Sequence, residues 1–156
     1  MSLDTGRLAQ MLDEELLLTR DIHGILQQEK EALRSNDLDS LHSLQQSSTL
    51  RLSQLKDHAG QRLHWMQTNH LPCNADCLNH PDVAPAANIH RLWTQLEAQY
   101  RTNQTLSQQL SDIVLGARQR TLQKLRILRG QQNDPHLYDG KGKASSLNKG
   151  QGYIQA

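Results

Sequence analysis

The four prolines of this 156-residue chain stand at positions 72, 81, 85 and 135, and their placement limits the fold more than any other feature. A proline inside an α-helix removes a backbone hydrogen bond and clashes with the preceding turn, which costs about 3 kcal/mol. Long helices are therefore confined to two proline-free stretches, residues 1–71 and 86–134. The prolines between these stretches predict a connecting loop.

The composition favours helices in both stretches. Leu occurs 27 times and Gln 19 times, whereas Ile and Val together occur eight times and Phe is absent. Leu and Gln lose little rotamer freedom in a helix, while strands prefer β-branched and aromatic residues. A hydrophobic fraction of 36% suits the narrow seam of a helical bundle better than the thick core of an α/β enzyme.

Apolar residues at steps of three and four predict three helices, near residues 4–34, 38–69 and 88–129, with a loop at 70–87. The segment Ser35-Asn36-Asp37 separates the first two helices and caps the second. Because this turn is short, these two helices must be antiparallel neighbours. The predicted fold is an all-α, antiparallel bundle of three long helices over residues 1–130, followed by a flexible, glycine-rich C-terminal arm at 131–156.

The predicted seams are not wholly apolar. The first helix contributes Leu8, Met11, Leu12, Leu18, Ile22, Ile25, Leu26 and Leu33. The second contributes Leu41, Gln45, Ser48, Leu52, Leu55, Ala59, Arg62 or Leu63, and Met66. The acidic pairs Glu14–Glu15 and Glu29–Glu31 are expected on a solvated helix face, because no second helix offers facing carboxylates for acid–base chemistry.

The third helix exceeds the other two by about ten residues, or roughly 15 Å. We predict that its end, near 118–129, overhangs the hairpin and presents apolar side chains to a partner. Fully burying one such side chain contributes about 1.5–3 kcal/mol, so a few together suffice for binding. The predicted partner-binding residues on this helix are Leu106, Leu110, Ile113, Leu122, Leu125 and Leu128.

The loop holds the one candidate metal motif, His70-x2-Cys73-x3-Cys77-x2-His80. Two His and two Cys could complete a tetrahedral zinc site, but four ligands within eleven residues are compressed compared with a zinc finger. We predict that the loop binds no structural metal. No nucleophile elbow, phosphate loop or zinc-protease motif occurs, so we predict neither an enzyme nor a cofactor.

Charge is unevenly distributed along the chain. Residues 1–40 carry four basic and nine acidic side chains, net −5, whereas residues 86–156 carry ten basic and four acidic, net +6. Five basic residues between 118 and 129 resemble a nucleic-acid-binding helix, but aromatic residues for base stacking are missing. The charges also complement the negative end of the helix dipole, and we predict no nucleic-acid partner.

The sequence predicts a cytoplasmic protein. No apolar run approaches the 18 residues of a membrane-spanning helix, and residues 1–7 show no signal-peptide pattern. Two cysteines are too few for a secreted disulfide scaffold.

Several segments resemble the flagellar export chaperone family FlgN. The tail segment Leu137-Tyr138-Asp139-Gly140-Lys141-Gly142 matches the family's Leu-Tyr-x-x-x-Gly pattern after a long last helix. Residues 31–41 are similar to the family's junction between helices 1 and 2, and Trp93 and Asn103 to its third helix. The resemblance covers residues 4–143.

This resemblance implies a binding protein. The family's clients are the hook–filament junction proteins FlgK and FlgL, whose terminal amphipathic helices a chaperone covers before export. It also implies that Leu137 and Tyr138 contact the export-gate protein FlhA. From the residues alone, two alternatives remain open. One is a coiled-coil adaptor that self-associates, and the other is a small nucleic-acid or zinc-loop protein.

Overall fold

The computed structural model describes residues 2–129. It contains three long helices, α1 (Thr5–Arg34), α2 (Leu38–Thr68) and α3 (Ala87–Leu128), and a short 3₁₀ helix (Ala75–Asn79) in the loop before α3. No strand occurs within residues 2–129. The all-α prediction is confirmed, and each helix begins and ends within one residue of its predicted bounds. The arm predicted at 131–156 lies outside the described residues.

Aspartate side chains begin the first two helices. A carboxylate oxygen of Asp4 accepts a hydrogen bond from the backbone N–H of Arg7 at 2.9 Å, and one of Asp37 accepts from that of Ser40 at 3.1 Å. These bonds satisfy N–H groups that have no partner inside the helix. Hydrogen bonds from Ser40 also lower the pKa of Asp37. Asn36, at φ 59°, makes the left-handed turn between the two helices.

Within residues 2–129 the chain forms two compact units, which are divided between Leu106 and Ser107. The first unit contains α1, α2, the loop and the first part of α3, residues 87–106. Its apolar core is drawn from all of these elements: Leu8, Met11, Leu12, Leu16, Met66, Leu71, Cys77, Val83, Ile89, Leu92, Trp93 and Leu96. The loop therefore packs as part of the core, and Asp82 fixes it to the N-terminal segment by accepting from the N–H of Leu3 at 2.9 Å.

The buried face of α1 repeats every seven residues. Buried positions alternate in steps of four and three: Leu8, Leu12, Glu15, Thr19, Ile22, Leu26 and Glu29. This is the spacing of a helix seam, and two carboxylates occupy it. The expectation that both acidic pairs lie on a solvated face is wrong, because Glu15 and Glu29 are buried. Burial raises the pKa of the Glu29 carboxyl.

Helix α2 buries much less of its surface. Ser48, Arg62 and Met66 are its only buried residues, and Arg62 rather than Leu63 faces inward. Leu52, expected in the seam, is half exposed because it lies about 60° round the helix from the centre of that face. Helices α1 and α2 pack along each other, with Glu15 beside Arg62 and a short turn joining α1's end to α2's start. The two helices therefore run in opposite directions.

None of the helices within residues 2–129 is both long and apolar enough to cross a bilayer.

Candidate functional site

A polar cluster of Glu15, Arg62 and Tyr100 joins the three helices of the first unit, with Glu15 and Arg62 buried and Tyr100 37% exposed. The Nε of Arg62 donates to Oε2 of Glu15 at 2.5 Å, and its Nη2 donates to Oε1 at 3.3 Å. The hydroxyl of Tyr100 donates to the same Oε1 at 2.6 Å. Glu15 is fully buried, and Arg62 is nearly so. A buried carboxylate requires such partners, because desolvation of an unpaired charge costs several kcal/mol.

Further contacts fix the first part of α3 against this cluster. The guanidinium carbon of Arg62 lies 5.5 Å from the centre of the Trp93 ring, a cation–π contact. Within α3, the indole N–H of Trp93 donates to Glu97 at 2.7 Å and so holds the ring in place. One turn beyond Tyr100, the amide of Asn103 donates to the backbone carbonyl of Thr19 at 2.8 Å. The cluster thus sets the register of residues 87–106 on α1 and α2.

Because of Tyr100, the free energy of unfolding should decrease as the pH becomes alkaline. Burial first, and then its hydrogen bond to Glu15, raise the pKa of the Tyr100 phenol. The pKa of the phenol is higher in the folded protein than its unfolded value of about 10. The phenol's contribution to the free energy of unfolding is therefore complete below pH 10 and is lost as the pH rises further. Tyr100→Phe should therefore cost about 1 kcal/mol at pH 7 and show a shallower alkaline loss, measured by urea unfolding from pH 7 to 11. Parallel pH profiles for the two proteins would contradict this assignment.

The residues of the candidate zinc motif do not converge. Cys77 is buried in the core, whereas Cys73 is exposed and its thiol lies 3.9 Å from the carbonyl of Leu63. Burial raises the pKa of the Cys77 thiol, which disfavours the thiolate that binds metal. Within residues 2–129, no group of three or more His, Cys, Asp or Glu side chains is placed to hold a metal ion.

The absence of a structural metal stays a prediction with a direct test. Purified protein should contain far less than one zinc per chain by elemental analysis, and Cys73→Ser should leave its melting temperature unchanged, because Cys73 is exposed. Stoichiometric zinc that is lost in Cys73→Ser would contradict the prediction.

The second unit exposes an apolar row near the end of α3. We call residues 117–129 the α3 tip. Leu122 is 37% exposed, Leu125 42% and Leu128 82%. Their spacing of three residues places them along one side of the helix, each about 60° from the next. A row of leucines in contact with water on a regular helix is a surface suited to docking another helix.

The six predicted partner-binding residues divide by exposure. Leu106 and Leu110 are buried, Ile113 is partly buried, and the three leucines of the α3 tip are exposed. Three of the six residues are therefore exposed in the free chain. Leu137 and Tyr138, predicted to contact an export gate, lie outside the described residues.

Sequence reasoning missed the polar cluster. One signal was available: Glu15 stands seven residues after Leu8 and seven before Ile22, so heptad spacing alone places it on the apolar face. Its partner Arg62 is 47 residues away, and no local pattern links the two.

An exposed apolar row on a helix is a feature of a protein-binding module. The sequence model of the FlgN family, described as FlgN protein, matches residues 1–146. The chain therefore belongs to the FlgN family. FlgN is a family of chaperones, and its general role is in flagellar export. No curated protein and no solved structure matches the chain.

Proposed function

We propose that this chain is a cytoplasmic export chaperone for the hook–filament junction proteins FlgK and FlgL. It binds their amphipathic terminal helices, prevents premature assembly, and delivers them to the flagellar type III export gate. The observation that carries the proposal is the exposed row Leu122, Leu125 and Leu128 in a member of the FlgN family. Such a row offers the apolar face that an amphipathic helix needs, and covering it gives reversible binding.

The proposed client-binding surface includes all six residues of the predicted set, in unequal roles. Leu122, Leu125 and Leu128 supply area that is still open to a partner, whereas Ile113 is partly buried and stands nine residues before Leu122. Leu106 and Leu110 are already buried, so they support the helix and contribute little new contact area.

The polar cluster supports an antiparallel three-helix bundle for residues 2–106. Tyr100 contacts Glu15, and Asn103, further along α3, contacts Thr19, further along α1. Residues 87–106 therefore run parallel to α1. Since α2 runs opposite to α1, residues 87–106 complete an up-down-up arrangement.

The test uses the purified chain with purified FlgK and FlgL from the same bacterium. Isothermal titration should give saturable binding to each client, and clients that lack their terminal helices should not bind. Equal binding of intact and truncated clients would refute the proposed mode of recognition.

Self-association through the same leucine row is the competing function. A coiled-coil adaptor would cover Leu122 and Leu125 with a second copy of itself. Sedimentation without clients distinguishes the two functions. A stable oligomer that dissociates in Leu125→Asp, and that excludes the clients, would favour the adaptor.

Tyr138 is proposed to contact the gate protein FlhA, with Leu137 beside it. Tyrosine brings a rigid apolar ring and one hydroxyl, which suit a small pocket on another protein. Tyr138→Ala should leave client binding unchanged while weakening FlhA binding and reducing export of FlgK and FlgL, measured by titration and by secretion assays. Tyr153→Ala serves as the matched control. Loss of client binding in Tyr138→Ala would contradict a separate gate contact.

A further inference from the structure

The α3 tip is strongly basic. From Ile113 to Arg129 the chain contains no acidic residue, and the nearest one, Asp112, accepts a hydrogen bond from Gln108 at 3.2 Å. The same stretch carries five cations: Arg118, Arg120, Lys124, Arg126 and Arg129. Two cations near the end of α3 would complement the negative end of the helix dipole. The others stand too far from that end for the dipole to explain them.

The cations border the apolar row on both sides. Arg126 follows Leu122 by four residues, and Arg129 follows Leu125 by four, so both lie next to the row on the helix surface. Lys124 precedes Leu128 by four residues and lies on the opposite border. The row is therefore an apolar strip between two basic margins, and all three leucines in it are exposed.

We propose that the α3 tip selects an acidic amphipathic helix, one whose apolar stripe is bordered by Asp and Glu. This inference rests on the proposed function and specifies the chemistry of the client segment. Leucines would pack on the apolar stripe, while the margins place guanidinium groups beside carboxylates. Arginine binds carboxylates through two parallel hydrogen bonds, so the margins add orientation as well as attraction.

The charge of the α3 tip disfavours a second copy of this chain as the main binding partner of the apolar strip. Two α3 tips facing each other would bring like charges together, which opposes association. A nucleic acid is also disfavoured, because leucines occupy the centre of the strip and residues 113–129 contain no aromatic residue for stacking. An anionic membrane would need a larger apolar face, usually with Trp or Phe, than three leucines over two turns.

The experiment uses the full chain and two synthetic 18-residue helical peptides with the same leucine stripe. One peptide carries Glu on both margins of the stripe, and the other carries Lys. Fluorescence anisotropy at low salt should show the Glu peptide binding at least about tenfold more tightly, and the difference should shrink in 0.5 M salt, where charges are screened within about 5 Å. Two further measurements are the binding of the chain to phosphatidylserine vesicles and the oligomeric state of the chain alone, determined by sedimentation.

Reversing the charges on the two margins tests whether these basic residues are the ones that select the acidic peptide. In Lys124→Glu/Arg126→Glu/Arg129→Glu, the preference should invert toward the Lys peptide. The control Lys56→Glu/Arg91→Glu/Arg101→Glu changes net charge by the same amount at exposed sites outside the α3 tip, and it should keep the preference for Glu. An equal response of both variants would overturn the assignment to the margins.

The outcomes separate this inference from the proposed function. If both peptides bind equally well and the clients still bind, selection by charge is wrong and the leucine row alone recognises clients. If neither the peptides nor the clients bind, the proposed function itself fails. Vesicle binding that excludes the Glu peptide, or an oligomer that the peptide cannot dissociate, would overturn the proposal in favour of a membrane or a second copy.

Discussion

Replacing Arg62 by methionine is expected to lower the free energy of unfolding by about 3–5 kcal/mol. The substitution keeps much of the side-chain volume but leaves the fully buried Glu15 carboxylate with Tyr100 as its remaining partner in the cluster. It also removes the cation from the face of Trp93. Urea unfolding followed by circular dichroism at 222 nm measures the loss.

The double variant Glu15→Leu/Arg62→Met is the informative control. It removes both charges and fills the space with apolar atoms, so most of the lost stability should return, or more. If Arg62→Met alone cost less than about 1 kcal/mol, or if the double variant were no more stable than the single one, the buried pair would not stabilise the fold as described.

Leu125→Asp is expected to weaken binding of FlgK and FlgL by about 10- to 100-fold. The estimate takes part of the about 1.5–3 kcal/mol for fully burying a leucine, because Leu125 is 42% exposed before binding, and adds the cost of placing a carboxylate in an apolar contact, at about 1.4 kcal/mol per factor of ten. Because Leu125 is 42% exposed in the free chain, the melting temperature should change little. Titration calorimetry and thermal unfolding measure the two effects separately.

Gln123→Asp provides the matched control for Leu125→Asp. It adds the same charge to the same helix two residues away, about 160° round from Leu125. Binding should be nearly unchanged, apart from weaker attraction of an acidic client. Similar losses in both variants would assign the effect to charge alone. A large fall in melting temperature for Leu125→Asp would place that residue in the fold's own core.

The polar cluster helps to explain how a chain with a thin apolar core keeps a defined structure. Glu15, Arg62 and Tyr100 fix three helices at one level, whereas an all-leucine seam would tolerate sliding by a turn. Under the proposed function this arrangement is useful, because stability then depends little on the surface leucines that a client would cover. The proposal thus assigns stability and binding to separate residues, so the two sets of variants should have distinct effects.

The helices were predictable from the sequence because their ends depend on local chemistry. Pro72 and Pro85 exclude a long α-helix from the loop, and Asp4 and Asp37 supply capping oxygens three residues before the N–H groups that need them. Each signal acts within a few residues, so it can be recognised without knowing what the helix packs against. The apolar spacing in α1 likewise anticipated Leu8, Leu12 and Ile22 in the buried face.

Which face of a helix is buried, and beside what, depended on the tertiary structure. Glu15 was expected on a solvated face and Arg62 shared its seam position with Leu63, and only their meeting across 47 positions makes burial tolerable for both. Leu52 and Leu63 show the converse, because apolar residues stay exposed where no neighbouring element covers them. The sequence by itself determined the helices, their ends and the charge of the α3 tip, since these follow from local spacing and composition. Tertiary contacts decided which carboxylates are buried and which leucines remain exposed for a partner, since burial depends on what distant segments bring alongside.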